Sequence, residues 1–348
     1  MSAPAPRFDH LAHLSTDDGL FEHALFTTPR REHGYCLDDV ARGLVVTSRE
    51  PGPSDQVRHL TSVYLAFTCS AQDGDGRFHN RRREDGSWAD EASTDDHWGR
   101  AIWGLGTAAA ASTDDQVRAV ALDGATRALG LRSPWWRAMA YAAIGAFEVL
   151  RVRPGDHEAL GLLADARAML GRPRRDATWP WPESRLTYAN AVLPEALLAI
   201  GSGLADEQVL QHGLDILAWL LDLQNRDGHL SVIPAGGWRR GEPLPAYDQQ
   251  PIEVAALAEA CWRALDLTGD DTWATGLDLC SAWFHGANDS GLRMTDPMHG
   301  GGFDGLHVTG VNQNQGAEST LAALATQQRA RSASDRVAQV AQVARVAR

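Results

Sequence analysis

Long apolar runs are missing from this sequence of 348 residues. No stretch approaches the roughly 18 to 20 uncharged apolar residues that a membrane span requires, and the opening Met-Ser-Ala-Pro-Ala-Pro-Arg lacks the apolar core of a secretory signal. A soluble, cytoplasmic protein without membrane partners is the expectation. Cysteine is scarce: Cys36, Cys69, Cys261 and Cys280 have neither CxxC spacing nor the density of a disulfide scaffold. Each lies in an apolar helical context, so buried free thiols are expected. Positive charge is in deficit, with 32 basic against 45 acidic residues and a formal charge of −13. The acids are spread along the chain, which disfavours polyanionic partners, nucleic acid included. The GxSxG elbow, the phosphate loop, the dinucleotide fingerprint and HxxxH-like ligand spacing are all absent, so neither cofactor nor metal is expected. Asp73-Gly-Asp-Gly lacks the twelve-residue ligand set of a calcium loop.

What is present is ordinary globular material: 44% hydrophobic and 22% charged residues, enough for a sizeable core. Length alone favours two domains. An internal repeat reverses that expectation. A polar, aromatic or amide-rich cluster leading into an Ala-, Leu- and Gly-rich helix recurs six times, beginning at Tyr35, Asp95, Pro134, Tyr188, Asp248 and Asn312. The starts are roughly 40 to 64 residues apart, room for a helix, a turn, a second helix and a returning loop. The second helices, Asp55–Cys69, Asp114–Leu129, Asp156–Leu170, Asp206–Gln224 and Asp270–His285, are amphipathic at 3.6-residue spacing and start at or near a capping Asp. Apolar helices alternating with amphipathic ones are what two concentric rings require. The predicted fold is therefore all-α, an (α/α)6 toroid of six helical hairpins forming one domain over residues 1–330. Residues 331–348 form a C-terminal helix, either the sixth outer helix or a frayed tail. An open solenoid of helix pairs is the alternative.

In such a toroid the inner helices run the same way, so the polar clusters converge on one mouth. The predicted funnel holds Tyr35, Asp38, Asp39, Asp95, Asp96, His97, Trp98, Trp135, Trp136, Tyr188, Asn190, Asp248, Gln249, Gln250, Glu253, Asn312, Gln313, Gln315 and Glu318. Capping accounts for an Asp at a helix start, but not for Glu253 or Glu318 further in. Asp38 with Arg42 and Asp96 with Arg100 share the i,i+4 spacing of one helix face, and aligning the arginines makes the two aspartates equivalent positions of neighbouring repeats. The sequence has 12 tryptophans, and indole faces beside carboxylates suit the C–H faces and hydroxyls of sugar rings. Trp179-Pro-Trp181-Pro-Glu183 reads as a stiff segment offering two indoles and a carboxylate, or as a plain structural loop. Met298 to His307 reads as a glycine-rich lid. An oligosaccharide or glycoside is the expected ligand. Glycoside hydrolysis needs one protonated and one ionised carboxyl group. Glu253 and Glu318, among apolar neighbours, are the acid candidates; Asp38, Asp39 and Asp96 are the base or hydroxyl-binding candidates.

These repeats resemble the six-hairpin glycosidase superfamily, the (α/α)6-barrel clan that includes glycoside hydrolases and N-acylglucosamine 2-epimerases. Gly34-Tyr-Cys-Leu-Asp-Asp-Val-Ala-Arg42 and Asn314-Gln-Gly-Ala-Glu-Ser-Thr320 look like segments of bacterial proteins associated with sugar-processing enzymes. The resemblance implies a carbohydrate-active enzyme, with glycoside hydrolase as the leading expectation. Two others stand beside it: an epimerase or isomerase with His97, His299 or His307 as base, and a non-catalytic sugar-binding or protein-interaction toroid. Terpene and lanthionine cyclases share the toroid, but the aspartate-rich acid motif of the first and the zinc ligands of the second are absent.

Overall fold

The computed structural model describes residues 5–172, 176 and 178–346. A short helix α1 (Asp9–His13) precedes α2 (Leu37–Ser48), α3 (Asp55–Ala71), α4 (Asp96–Ala111), α5 (Asp115–Ala128), α6 (Trp136–Val152) and α7 (His157–Leu170). Then follow α8 (Val192–Gly203), α9 (Glu207–Gln224), α10 (Pro251–Thr268), α11 (Thr272–Phe284) and α12 (Ala317–Val346). Helices α2, α4, α6, α8, α10 and α12 each pack on the next, and α12 returns to α2, which closes the inner ring. Helices α3, α5, α7, α9 and α11 lie outside, each against its preceding inner helix. The molecule is an (α/α)6 toroid.

Burial follows the two rings. All of α2 except Asp38 is buried, whereas α3 presents a polar face to solvent. The outer helices start where the chain supplies a cap: Ser54 accepts from the Val57 amide, Asp114 from Gln116 and Val117, Asp156 from Ala159, and Asp206 from Gln208 and Val209. The inner helices approach closely where glycine faces backbone. A Cβ on Gly99 would lie 2.2 Å from the Ala138 carbonyl oxygen, and one on Gly145 would lie 2.4 Å from that of Ile102, which binds α4 tightly to α6.

The sixth hairpin differs from the other five. Residues 331–346 continue α12 without a break, and α1 packs against α12. His10 Nε2 lies 2.8 Å from the Gln315 carbonyl oxygen and fixes that contact. Three of the polar clusters also precede their helices instead of opening them. Asn190 accepts from the Thr187 amide and Asn312 from the Asn314 amide, turns that compete with helical bonding. Asp248 sits at φ 66°, and Pro251 starts α10 only after it.

The glycine-rich segment before α12 is packed down. A Cβ on Gly302 would lie 2.1 Å from the Ser319 carbonyl oxygen and one on Gly301 1.9 Å from Gln315 Oε1. These glycines serve close approach to α12, so the segment is a wall of the mouth and not a lid. All four cysteines are free; Cys36, Cys261 and Cys280 are buried and Cys69 partly so. The 32 basic residues are all arginine, and the chain contains no lysine. Among the described residues, no helix is long and apolar enough to cross a membrane.

Candidate active site

The mouth at the N-terminal ends of the inner helices is a cleft with two adjoining lobes that share Asp38 and Arg81. One lobe, of about 740 Å³, is rich in charge: Glu22, His23, Asp38, Asp39, Arg42, Arg81, Arg100, Asp248, Asp304, His307 and Glu318 line it. The other, of about 960 Å³, has Asp95, Asp96, His97, Trp135, Trp136, Arg137, Glu183 and Tyr188 in its wall.

A relay of ion pairs runs round the inner ring beneath both lobes. Arg42 donates to Asp39 at 2.7 Å and pairs with Glu318 of α12 at 3.1 Å. Arg100 donates to Asp38 at 2.6 Å and to Asp96 at 3.4 Å, with its guanidinium 4.9 Å from the Tyr141 ring. Tyr188 donates to Asp96 at 2.6 Å, and Arg137 donates to Glu183 at 2.6 Å. The expected Asp96–Arg100 pair is present. Asp38 pairs with Arg100 of the neighbouring helix instead of Arg42, because inner helices touch along this face and Arg42 turns toward α12. Asn80, from the loop before α4, donates to Asp38 at 3.2 Å.

The adjacent aspartates are shifted in opposite directions. Burial alone would raise Asp38, but the charges of Arg100 and Arg42 outweigh it and hold the carboxyl well below the usual range. Asp39 is pushed up to about 7, by burial first and then by the negative charges of Glu318, Glu22 and Asp38, against the pull of Arg42. Burial also raises Asp304, with Glu318 contributing, and pushes the Cys36 thiol far up. Ligand atoms of Glu22, Cys36 and Asp39 all lie within 4.8 Å of one another. These three could hold a metal by type. Yet Arg81 donates to Glu22, Arg42 to Asp39, and Cys36 keeps its proton. The grouping is an acid pair beside a neutral thiol.

The other expected site residues divide by depth. Trp135, Trp136 and Tyr188 line the wider lobe, with Trp135 58% exposed and its Nε1 donating to Asp95 at 2.8 Å. His97 lines it too, its Nε2 held 2.8 Å from the Phe78 carbonyl oxygen. In the charged lobe, Asp248 and His307 are joined at 2.8 Å through His307 Nδ1, and Gln249 and Asn312 form part of the wall. Trp98 is fully buried. Trp179 and Trp181 are buried against Trp219, and Trp179 also meets Trp238; they donate to the Glu183 and Arg185 carbonyls, so they form core and not a sugar platform. Tyr35 stacks on Phe21 in the core and bonds Thr16. Glu253 is raised to about 6 by burial, but its carboxylate takes the Ala189 and Asn190 amides and the Asn190 side chain, bracing the turn before α8. Neither it nor Asn190 lines the cleft. Gln315 is buried beneath Gly301, and Gln313 is exposed outside both lobes. Glu318 is 41% exposed at the cleft and bound to Arg42.

Sequence reasoning missed Glu22, His23 and Arg81, and reached Asp304 only as part of the 298–307 segment. None belongs to a repeat, and each reaches the mouth on a loop or two-stranded hairpin. Tyr35–Cys36 pairs with Arg81–Arg82, which sets Arg81 beside Glu22.

No family model and no curated protein matches the sequence. Solved structures do match over nearly the whole chain. A cellobiose 2-epimerase from Bacillus thermoamylovorans superposes with a TM-score of 0.71 at 12% identity, covering 94% of this chain and 96% of its own. A GH76 α-mannanase from Bacteroides thetaiotaomicron gives 0.66 at 12%, covering 94% and 93%. A cellulase of C. cellulolyticium in complex with cellobiose gives 0.59 at 8%, covering 90% and 88%. The fold is that of the six-hairpin carbohydrate enzymes, which these matches represent by both hydrolases and epimerases.

Proposed function

We propose that this six-hairpin toroid is a glycoside hydrolase that cleaves an oligosaccharide across the two lobes, with Asp39 as proton donor and Glu22 as its partner carboxylate. The reading rests on one observation: the carboxyl groups of Asp39 and Glu22 come within 4.8 Å in the cleft wall, with Asp39 raised to about 7. A carboxylic acid protonated near neutrality can give its proton to the leaving oxygen. Glu22, ion-paired with Arg81, supplies the second carboxylate. Carboxyl groups in such close reach leave no room for the intervening water of an inverting enzyme and fit the retaining course, in which the second carboxylate attacks the anomeric carbon and the first then activates water. Asp39 suits both half-reactions, since Arg42 stabilises it once its proton has left. Trp135, Trp136 and Tyr188 in the other lobe give flat faces for further sugar rings. The test is reducing-sugar release from α- and β-linked gluco- and manno-oligosaccharides. Asp39→Asn and Glu22→Gln should each lose about 10²- to 10⁴-fold, and full activity in either variant removes the assignment.

A second reading draws on His307, whose Nδ1 is tied to Asp248 in the same lobe. A carboxylate on one ring nitrogen makes the other a base, the arrangement a sugar epimerase would use on a carbon-bound proton. Free aldoses incubated with the protein in D2O separate the two. Deuterium at C2 without cleavage of any oligosaccharide identifies the epimerase; cleavage without exchange identifies the hydrolase.

A further inference from the structure

Beneath the cleft the barrel axis narrows to an apolar throat of about 30 Å³. It opens again at the C-terminal ends of the inner helices into a second cavity of about 240 Å³. Five arginines line this floor cavity: Arg49, Arg151, Arg263, Arg329 and Arg331. Only Glu148 and Asp266 face it with negative charge. The other acids of the region stand behind the guanidinium groups. Arg49 takes both oxygens of Glu259 at 2.8 Å, and Arg329 Nε shares the same carboxylate at 2.8 Å. Arg263 is held by Glu195 and Glu148 at 3.1 Å each, and Arg331 by Glu50 at 3.0 Å.

Arginines at helix C-termini complement the helix dipoles and lock neighbouring helices together. That accounts for one arginine with one carboxylate at each helix end. It leaves Glu148 shared by Arg151 and Arg263, and Glu259 shared by Arg49 and Arg329, around a cavity that five arginines and only two acids face directly. Arg329 uses only Nε on Glu259, and its Nη1 and Nη2 have no hydrogen-bond partner among the described residues. Burial, and then the neighbouring charge of Arg49, bring Arg329 down to about 10 against the pull of Glu259. Forks converging from several helices suit a tetrahedral dianion with several oxygens better than a flat carboxylate. Trp103 and Trp262 complete the wall, with the Arg329 guanidinium 5.4 Å from the Trp262 ring.

We propose that the floor cavity binds a phosphate dianion, free or as the phosphate group of a sugar phosphate, on Arg263, Arg329 and Arg331, at the opposite end of the barrel from the cleft. Calorimetric titration of the full chain at fixed ionic strength tests this, with inorganic phosphate in one arm and glucose 6-phosphate in another. Saturable binding is expected in both arms. At least tenfold tighter binding of glucose 6-phosphate assigns the sugar ring to Trp103 and Trp262, and equal affinities assign the site to free phosphate. Arg329→Gln should weaken either ligand at least tenfold. Should that variant not fold, Arg331→Gln and the more exposed Arg151→Gln decide, each with a several-fold loss. No saturable binding of either ligand overturns the proposal. So does binding that survives these floor substitutions and disappears in Arg81→Gln at the cleft.

Discussion

Asp38 and Asp39 are sequence neighbours with opposite environments, and the difference comes from which arginine reaches each. The i,i+4 spacing of Asp38 and Arg42 is a property of one helix, while the partner that matters, Arg100, lies on another. Local spacing therefore picked out the right residues and the Asp96–Arg100 pair, but not the partner of Asp38. Removing Arg100 leaves a buried carboxylate uncompensated. Arg100→Met should cost about 3–5 kcal/mol in urea denaturation. Asp39 must hold its proton to act as an acid, so hydrolytic rate should fall as pH rises through about 7, and a pH–rate profile reads this directly. Tryptophan position was less legible than acid position. The prolines of 180–182 indicate stiffness but carry no direction, and only the cluster with Trp219 and Trp238 reveals that both indoles point inward. Trp135, with no such cluster, remains at the surface. Trp135→Ala should raise KM for long oligosaccharides several-fold with kcat little changed, since stacking far from the reacting bond binds ground and transition states alike.

Elements were far more legible than contacts, because burial on all sides or on one side writes itself into composition. Five outer helices were bounded from their apolar faces and capping residues to within a few positions. Asp114 carries two amides at the start of α5, and Asp114→Ala should lower stability by about 1 kcal/mol in the same denaturation assay. The sixth pair escaped the pattern, since its partner α1 comes from the other end of the chain and is too short to show a periodicity. The crossing of α4 and α6 is the least forgiving place in the ring. Gly145 faces the backbone of Ile102, which cannot rotate away, so Gly145→Ala should destabilise by about 1–3 kcal/mol or more even though alanine favours helix.

The whole molecule carries an unusual set of buried charges, and its response to pH follows from their signs. Asp39 and Glu195 are raised to about 7 and Glu253 to about 6, chiefly by burial, from ordinary values of 3.8 and 4.5. Between about pH 4 and 7 the folded state therefore binds more protons than the unfolded state, and stability falls as pH rises across that window. Asp38, and Glu259 at about 2, are shifted the other way by their arginines, so their contribution is present above the unfolded value and lost as pH falls below about 4. Thermal unfolding should show a higher Tm near pH 5 than near pH 8, and a second decline in strong acid. Every cation in these networks is a guanidinium, since the chain holds no lysine. Open-chain aldoses condense with primary amines to imines, which rearrange irreversibly; a guanidinium, protonated at all working pH values, does not take part. The chain thus offers a reducing sugar no side-chain amine, and prolonged incubation in concentrated glucose should leave its side chains unglycated.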